Sequence, residues 1–141
     1  MTNNKQQTEM NKEFAPYELA LELKQLGFDE PCLASYYRAG KKLDIAEYVR
    51  HGEYTVLAPL YQQAFRFFRE KYDLDYSLLP ESSSGHRLST RTFNIVIYKY
   101  HMNMNVQSEI VRIDGKIVRY NKREEAELAC LKKLIEIVNE Q

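Results

Sequence analysis

The chain has 141 residues, 44% of them apolar and 28% charged, with 20 basic and 20 acidic side chains and a formal net charge of zero. Such values suit one globular domain with a real hydrophobic core. They exclude a membrane-spanning helix, since no apolar run approaches the ~20 residues one needs, and the charge balance argues against a protein that binds nucleic acid electrostatically over its whole surface.

The N-terminus, MTNNKQQTEMNKEF, has no apolar core of the kind a signal peptide carries. A soluble, cytoplasmic protein is the expectation. Residues 1–13 are polar and aperiodic and read as a flexible tail, followed by a single α+β domain over residues 14–141.

In APYELALELKQLGFDEP, Leu19, Leu23 and Leu26 recur at helical spacing after Pro16. Gly27 can end that helix in the left-handed conformation, with Phe28 folding back toward Leu23. Pro31 prevents continuation. CLASYYRAGKKLDIAEYV reads as a hairpin about Ala39-Gly40, which pairs Tyr36 with Leu43 and Ala34 with Ile45. Leu43, Ala46 and Val49 also fit the start of a helix, so residues 41–50 are open between strand and helix. VLAPLYQQAFRFFREKYDL carries Leu57, Leu60, Tyr61, Ala64, Phe65 and Phe68 on one helical face, with Pro59 in the first turn and Phe67 at the margin of the stripe.

DYSLLP is a short strand candidate, and RTFNIVIYKYH reads as a central strand because both its faces are apolar. In SEIVRIDGKIVRY, Asp114-Gly115 favours a tight turn that sets Val111 opposite Val118 and Ile113 opposite Lys116. The last segment, NKREEAELACLKKLIEIVNEQ, is a helix with Asn121 as its cap and Glu124 in capping-box position. Its stripe is Leu128, Leu131, Leu134, Ile135 and Val138. This order of elements gives an α+β fold: an antiparallel sheet of hairpins with about three helices packed on it.

Candidate chemistry is sparse. SSSGHRLSTR, from Ser82 to Arg91, sets Ser84 beside His86 but lacks the frame of a nucleophile elbow and the pattern of a phosphate-binding P-loop. Serine, glycine and arginine are what a connecting loop requires anyway. His51, His86 and His101 show no metal-ligand spacing, and neither cysteine has a C-x-x-C partner. Cys32 and Cys130 lie far apart in apolar company and read as buried free thiols of a reducing cytoplasm. No catalytic, cofactor or metal residue emerges, and no small-molecule substrate is identified.

The zero net charge hides an asymmetry. Residues 1–86 carry 10 basic and 13 acidic side chains, net −3; residues 87–123 carry 8 and 2, net +6; residues 124–141 carry 2 and 5, net −3. The basic segment interleaves Lys99, Arg112, Lys116, Arg119, Lys122 and Arg123 with Tyr98, Tyr100 and Tyr120. A sheet face of this kind can neutralise phosphates and stack bases, although the aromatic RNA-binding strand signature is missing. The plainer reading is a solvated face. Tyr37, Tyr48, Tyr54 and Phe67 have no secure place in a core stripe, and such aromatics are enriched where proteins meet. Self-association or a protein partner is therefore expected.

Three segments, ELALELKQLGFDEPCLASYY, APLYQQAFRFFREKYDL and EEAELACLKKLIEIV, together resemble small uncharacterised proteins of bacteriophages, prophages and mobile elements, chiefly of gut Bacteroidetes. The resemblance spans most of Tyr17 to Val138. Residues 38–55 and 77–91 are more individual, and Phe67-Phe68 stands where similar proteins carry Trp. The resemblance implies a small accessory role and supplies no catalytic residue. The leading expectation is thus a non-enzymatic accessory or interaction protein; the alternative is a nucleic-acid binder using residues 87–123.

Overall fold

The computed structural model describes residues 3–49, 52, 54–82, 91–100, 106–110, 112–113 and 115–141. The fold is α+β. Its contacts group into two compact units, Met1–Arg66 and Phe67–Gln141. No linker marks the division in the sequence because it falls inside a continuous helix.

The first difference from expectation is at the N-terminus. Asn3–Asn11, read as an aperiodic tail, form helix α1, so the described helices number four. The segment has no Gly or Pro and is rich in good helix formers. Its described side chains are exposed, so α1 rests on local backbone bonding rather than on burial. Beyond it the chain extends: the Ala15 N–H donates to the Pro59 carbonyl at 2.8 Å and the Tyr61 N–H to the Glu13 carbonyl at 3.1 Å.

Helix α2, Tyr17–Gln25, buries Leu19, Ala20 and Leu23. Its stop follows the sequence. Gly27 adopts φ +93°, the Gly27 N–H donates to the Lys24 carbonyl, and the Phe28 N–H reaches the Leu23 carbonyl at 2.9 Å. That pair of bonds is a Schellman motif. Strands β1, Cys32–Tyr37, and β2, Leu43–Val49, form the expected hairpin, with Ala34 opposite Ile45 and Tyr36 opposite Leu43. Pairing with β1 thereby settles residues 43–49 as strand.

β3, Thr55–Leu57, corrects the sequence reading, which placed Leu57 in a helix. These residues pair with the free edge of β1, Ser35 opposite Leu57 and Tyr37 opposite Thr55, giving the order β2-β1-β3. Pro59 restricts Ala58 to extended backbone, and the Ala58 N–H bonds to Ala34. Helix α3 therefore starts only at Tyr61 and runs to Tyr72. Gln63 serves its first turn: its Oε1 accepts from the Leu60 N–H at 3.1 Å, and its Nε2 donates to the Pro31 carbonyl. The core of unit 1 joins Phe14, Ala20, Ala34, Tyr36, Val56 and Ala58, and its alanines let α2 lie close on β3.

In unit 2, Phe67 is buried at 7% exposure, not a spare surface aromatic. Its ring meets Phe68 edge-on at 5.5 Å and Tyr72 at 5.8 Å, contacts that widen the apolar stripe of α3. Asp73, at φ +56°, turns the chain out of α3. β4 (Leu74–Ser82), β5 (Arg91–Tyr100) and β6 (Val106–Ile110) follow in the order β4-β5-β6, all antiparallel. β5 is central, as its two apolar faces require.

Pro80 sits opposite Phe93. Phe93 gives both its N–H and its carbonyl to Tyr120 on the other side, at 2.8 and 3.0 Å. The Pro80–Phe93 pair thus needs no donor from β4, and an edge strand tolerates the proline there. β7 (Arg112–Ile113) and β8 (Lys116–Ile117) form a ribbon with Ile113 opposite Lys116, as the turn chemistry predicts, and Gly115 at φ +75°. Val111 and Asp114 lie outside the described residues.

Helix α4, Arg123–Asn139, begins after Lys122, which makes no side-chain cap bond. Asn121 does not cap it, because Tyr120 is held to Phe93 and two residues are spent leaving the sheet. Its buried stripe is Ala126, Cys130, Leu131, Leu134 and Ile135, rotated from the expected one so that Leu128 and Val138 are only half-buried. This face packs on β4 and β5.

Candidate anion-binding cleft

Leu74, Lys99 and Gln107 stand side by side in one row across β4, β5 and β6. Pairing fixes that row, and the pleat sets Ile97 on the same face. Over it pass Lys133 and Ile137, one helical turn apart on α4. Arg112 of β7 and Ser108 of β6 complete a cleft of about 450 Å³, lined among the described residues by these side chains and their backbone.

The floor is aliphatic: Leu74 and Ile97 are buried and Ile137 is half-buried. The rim carries Lys99, Arg112 and Lys133 with the polar side chain of Gln107, and among the described residues no carboxylate lines it; Glu109, in register with Ile97, has its side chain outside the described residues. Lys133 is paired with Glu136 at 2.7 Å. Among the described residues, Lys99 and Arg112 have no carboxylate within ion-pair distance. The nearest bond of Arg112 is a long one, 3.5 Å from Nη1 to the Gly115 carbonyl. These two cations supply the uncompensated field, above low-dielectric walls that strengthen it.

The remaining sequence candidates divide. Arg119 is bonded to Glu81 at 2.8 Å and Arg123 to Glu127 at 3.2 Å. Lys116 is exposed on β8 and Lys122 at the start of α4. Tyr98 and Tyr100 alternate with Lys99 along β5, so they point to the opposite face. The tyrosines and the cleft cations therefore do not share one surface. Lys133 and the aliphatic floor are absent from the sequence candidates; Lys133 lies in the acidic last segment, and its spacing from Ile137 is the only local signal. The stretch from Ser83 to Thr90, with Ser84 and His86, lies outside the described residues, as do His51 and His101. Among the described residues no three His, Cys, Asp or Glu side chains converge as a metal-ligand set.

Away from the cleft, Cys32 and Cys130 are buried and unpaired. Burial pushes the Cys32 thiol up to about 12, aided by Glu30, and burial pushes Cys130 up further, aided by Glu127 and Asp75. Neither is a ready nucleophile. In unit 1, Leu33 and Tyr37 are exposed on one face of β1, and Tyr54 is 70% exposed. The side chain of Tyr48 lies outside the described residues. No described helix is long and apolar enough to cross a membrane. No family model, curated protein or solved structure matches the chain.

Proposed function

We propose that this chain is a non-catalytic binding protein and that the cleft of unit 2 holds an anionic group of its partner. The supporting observation is the convergence of Lys99 and Arg112 on a cleft that, among the described residues, no carboxylate lines. Arg112 presents a planar fork suited to carboxylate or phosphate oxygens, and Lys99 adds a second charge. The accessory role and phage or mobile-element setting remain part of this proposal on the resemblance of the three segments alone. A cytoplasmic setting is supported by two buried unpaired thiols.

The test is a thermal melt at low salt with and without inorganic phosphate. A ligand that binds only the folded state raises the melting temperature. We expect phosphate to stabilise the wild type and to lose that effect in a Lys99→Glu/Arg112→Glu double variant. An equal response in both would overturn the assignment.

A nucleic-acid partner is the second reading, favoured by the exposure of Arg112 and Lys116 on the β7–β8 ribbon. Against it stand the ion pairs of Arg119 and Arg123 and the separate face of the tyrosines. Anisotropy of labelled DNA and RNA at about 50 and about 200 mM salt decides it: binding that collapses with salt, and that Arg112→Glu weakens on all sequences alike, would favour this reading.

A further inference from the structure

Resting on that anion-binding reading, we infer that the occupant of the cleft is a small organic anion: one phosphate or carboxylate group carried on a compact aliphatic body. The cleft is not a purely polar cradle. Its cations stand at the rim, while Leu74, Ile97 and Ile137 form the floor. A bare inorganic anion would satisfy Arg112 and Lys99 and leave the accessible part of that aliphatic lining, half-buried Ile137 above all, against water. A purely apolar ligand would cover the floor and desolvate two cations with nothing in return. A molecule with a charged head and an aliphatic tail meets both demands. The volume of about 450 Å³ falls in the range of small-molecule sites. It suits a short chain rather than a long acyl tail.

The experiment is isothermal titration calorimetry of the full chain with octyl phosphate, octanoate, inorganic phosphate and 1-octanol. We expect octyl phosphate to bind at least about tenfold more tightly than inorganic phosphate, since burying even two methylenes is worth that much. Octanol should bind more weakly than octyl phosphate by a similar factor. Arg112→Gln, at an exposed position where the fold is not at stake, should weaken octyl phosphate and inorganic phosphate alike by about tenfold. Ile137→Ser should weaken octyl phosphate and leave inorganic phosphate unchanged. The octanoate titration distinguishes a carboxylate from a phosphate head.

If octyl phosphate binds no more tightly than inorganic phosphate, the aliphatic part of the inference fails while the anion site stands. Should octanol match octyl phosphate, the charge is not read and the inference fails. If neither phosphate nor octanoate binds, both the inference and the anion-binding reading fall.

Discussion

The Tyr36 hydroxyl donates a hydrogen bond to the Ala15 carbonyl at 2.9 Å, tying β1 to the extended segment that precedes α2. Ala15 is fully buried and Tyr36 nearly so. The Tyr36 ring also meets Tyr17 edge-on at 5.6 Å. Tyr36→Phe keeps the ring and strands the buried carbonyl. We expect a loss of about 1–2 kcal/mol in urea unfolding. No change would mean that the carbonyl is satisfied some other way.

The two cysteines give a pH prediction. The Cys32 thiol is held neutral to about 12 by burial first and by Glu30 second, against an ordinary value of 9.0. In the unfolded chain it ionises near its ordinary value. Its contribution is thus intact below pH 9 and drains away as pH rises from 9 toward 12. Cys130, Tyr36 and Tyr120 are raised by burial too and act in the same direction. Unfolding free energy should fall steadily above pH 9, and Cys32→Ala should flatten that fall. Neither thiol should react with an aromatic disulfide reagent at pH 8 until the chain unfolds. Rapid labelling of the native protein would refute the assignment.

What is legible in the sequence is what rests on local chemistry. The hairpin register of Tyr36 with Leu43 and that of Ile113 with Lys116 follow from turn residues a few positions away. The end of α2 follows from Gly27. β3 is not legible, because three residues carry no period and become a strand only by completing the edge of β1. The burial of Phe67 depends on where the Tyr72 and Phe68 rings stand. At the cleft, Lys99 and Arg112 are visible in the basic run. Lys133 is hidden in an acidic one, and the separation of Lys99 from Tyr98 and Tyr100 has meaning only once α4 is known to cover one face of β5.

Gln63 offers a test of how α3 begins. No conventional cap precedes Tyr61; Gln63 instead accepts from the Leu60 N–H at 3.1 Å and donates to the Pro31 carbonyl at 3.1 Å. This is the reach-back half of a capping box, with Leu60 in the cap position. Gln63→Ala removes both bonds while keeping a strong helix former. We expect a loss of about 1 kcal/mol in urea unfolding. Gln63→Glu should retain the bond from the Leu60 N–H and recover part of it. If Glu does no better than Ala, the Pro31 bond carries the effect and the helix-start argument fails.

Asn94 predicts a change of the opposite sign. It lies on central strand β5 at 5% exposure, and its Oδ1 has no hydrogen-bond donor among the described residues. A buried acceptor without a partner costs about 1–3 kcal/mol, and asparagine is a poor strand residue besides. Leucine has nearly the same shape, with methyl groups in place of the amide oxygen and nitrogen. Asn94→Leu should therefore stabilise the chain by about 1 kcal/mol or more, read as a rise in the urea midpoint at unchanged slope. Asn94→Ala should gain less, because it removes the unpaired amide oxygen but leaves a cavity. If both variants are destabilised, the amide is satisfied in solution and Asn94 is a held polar group, not an unpaired one.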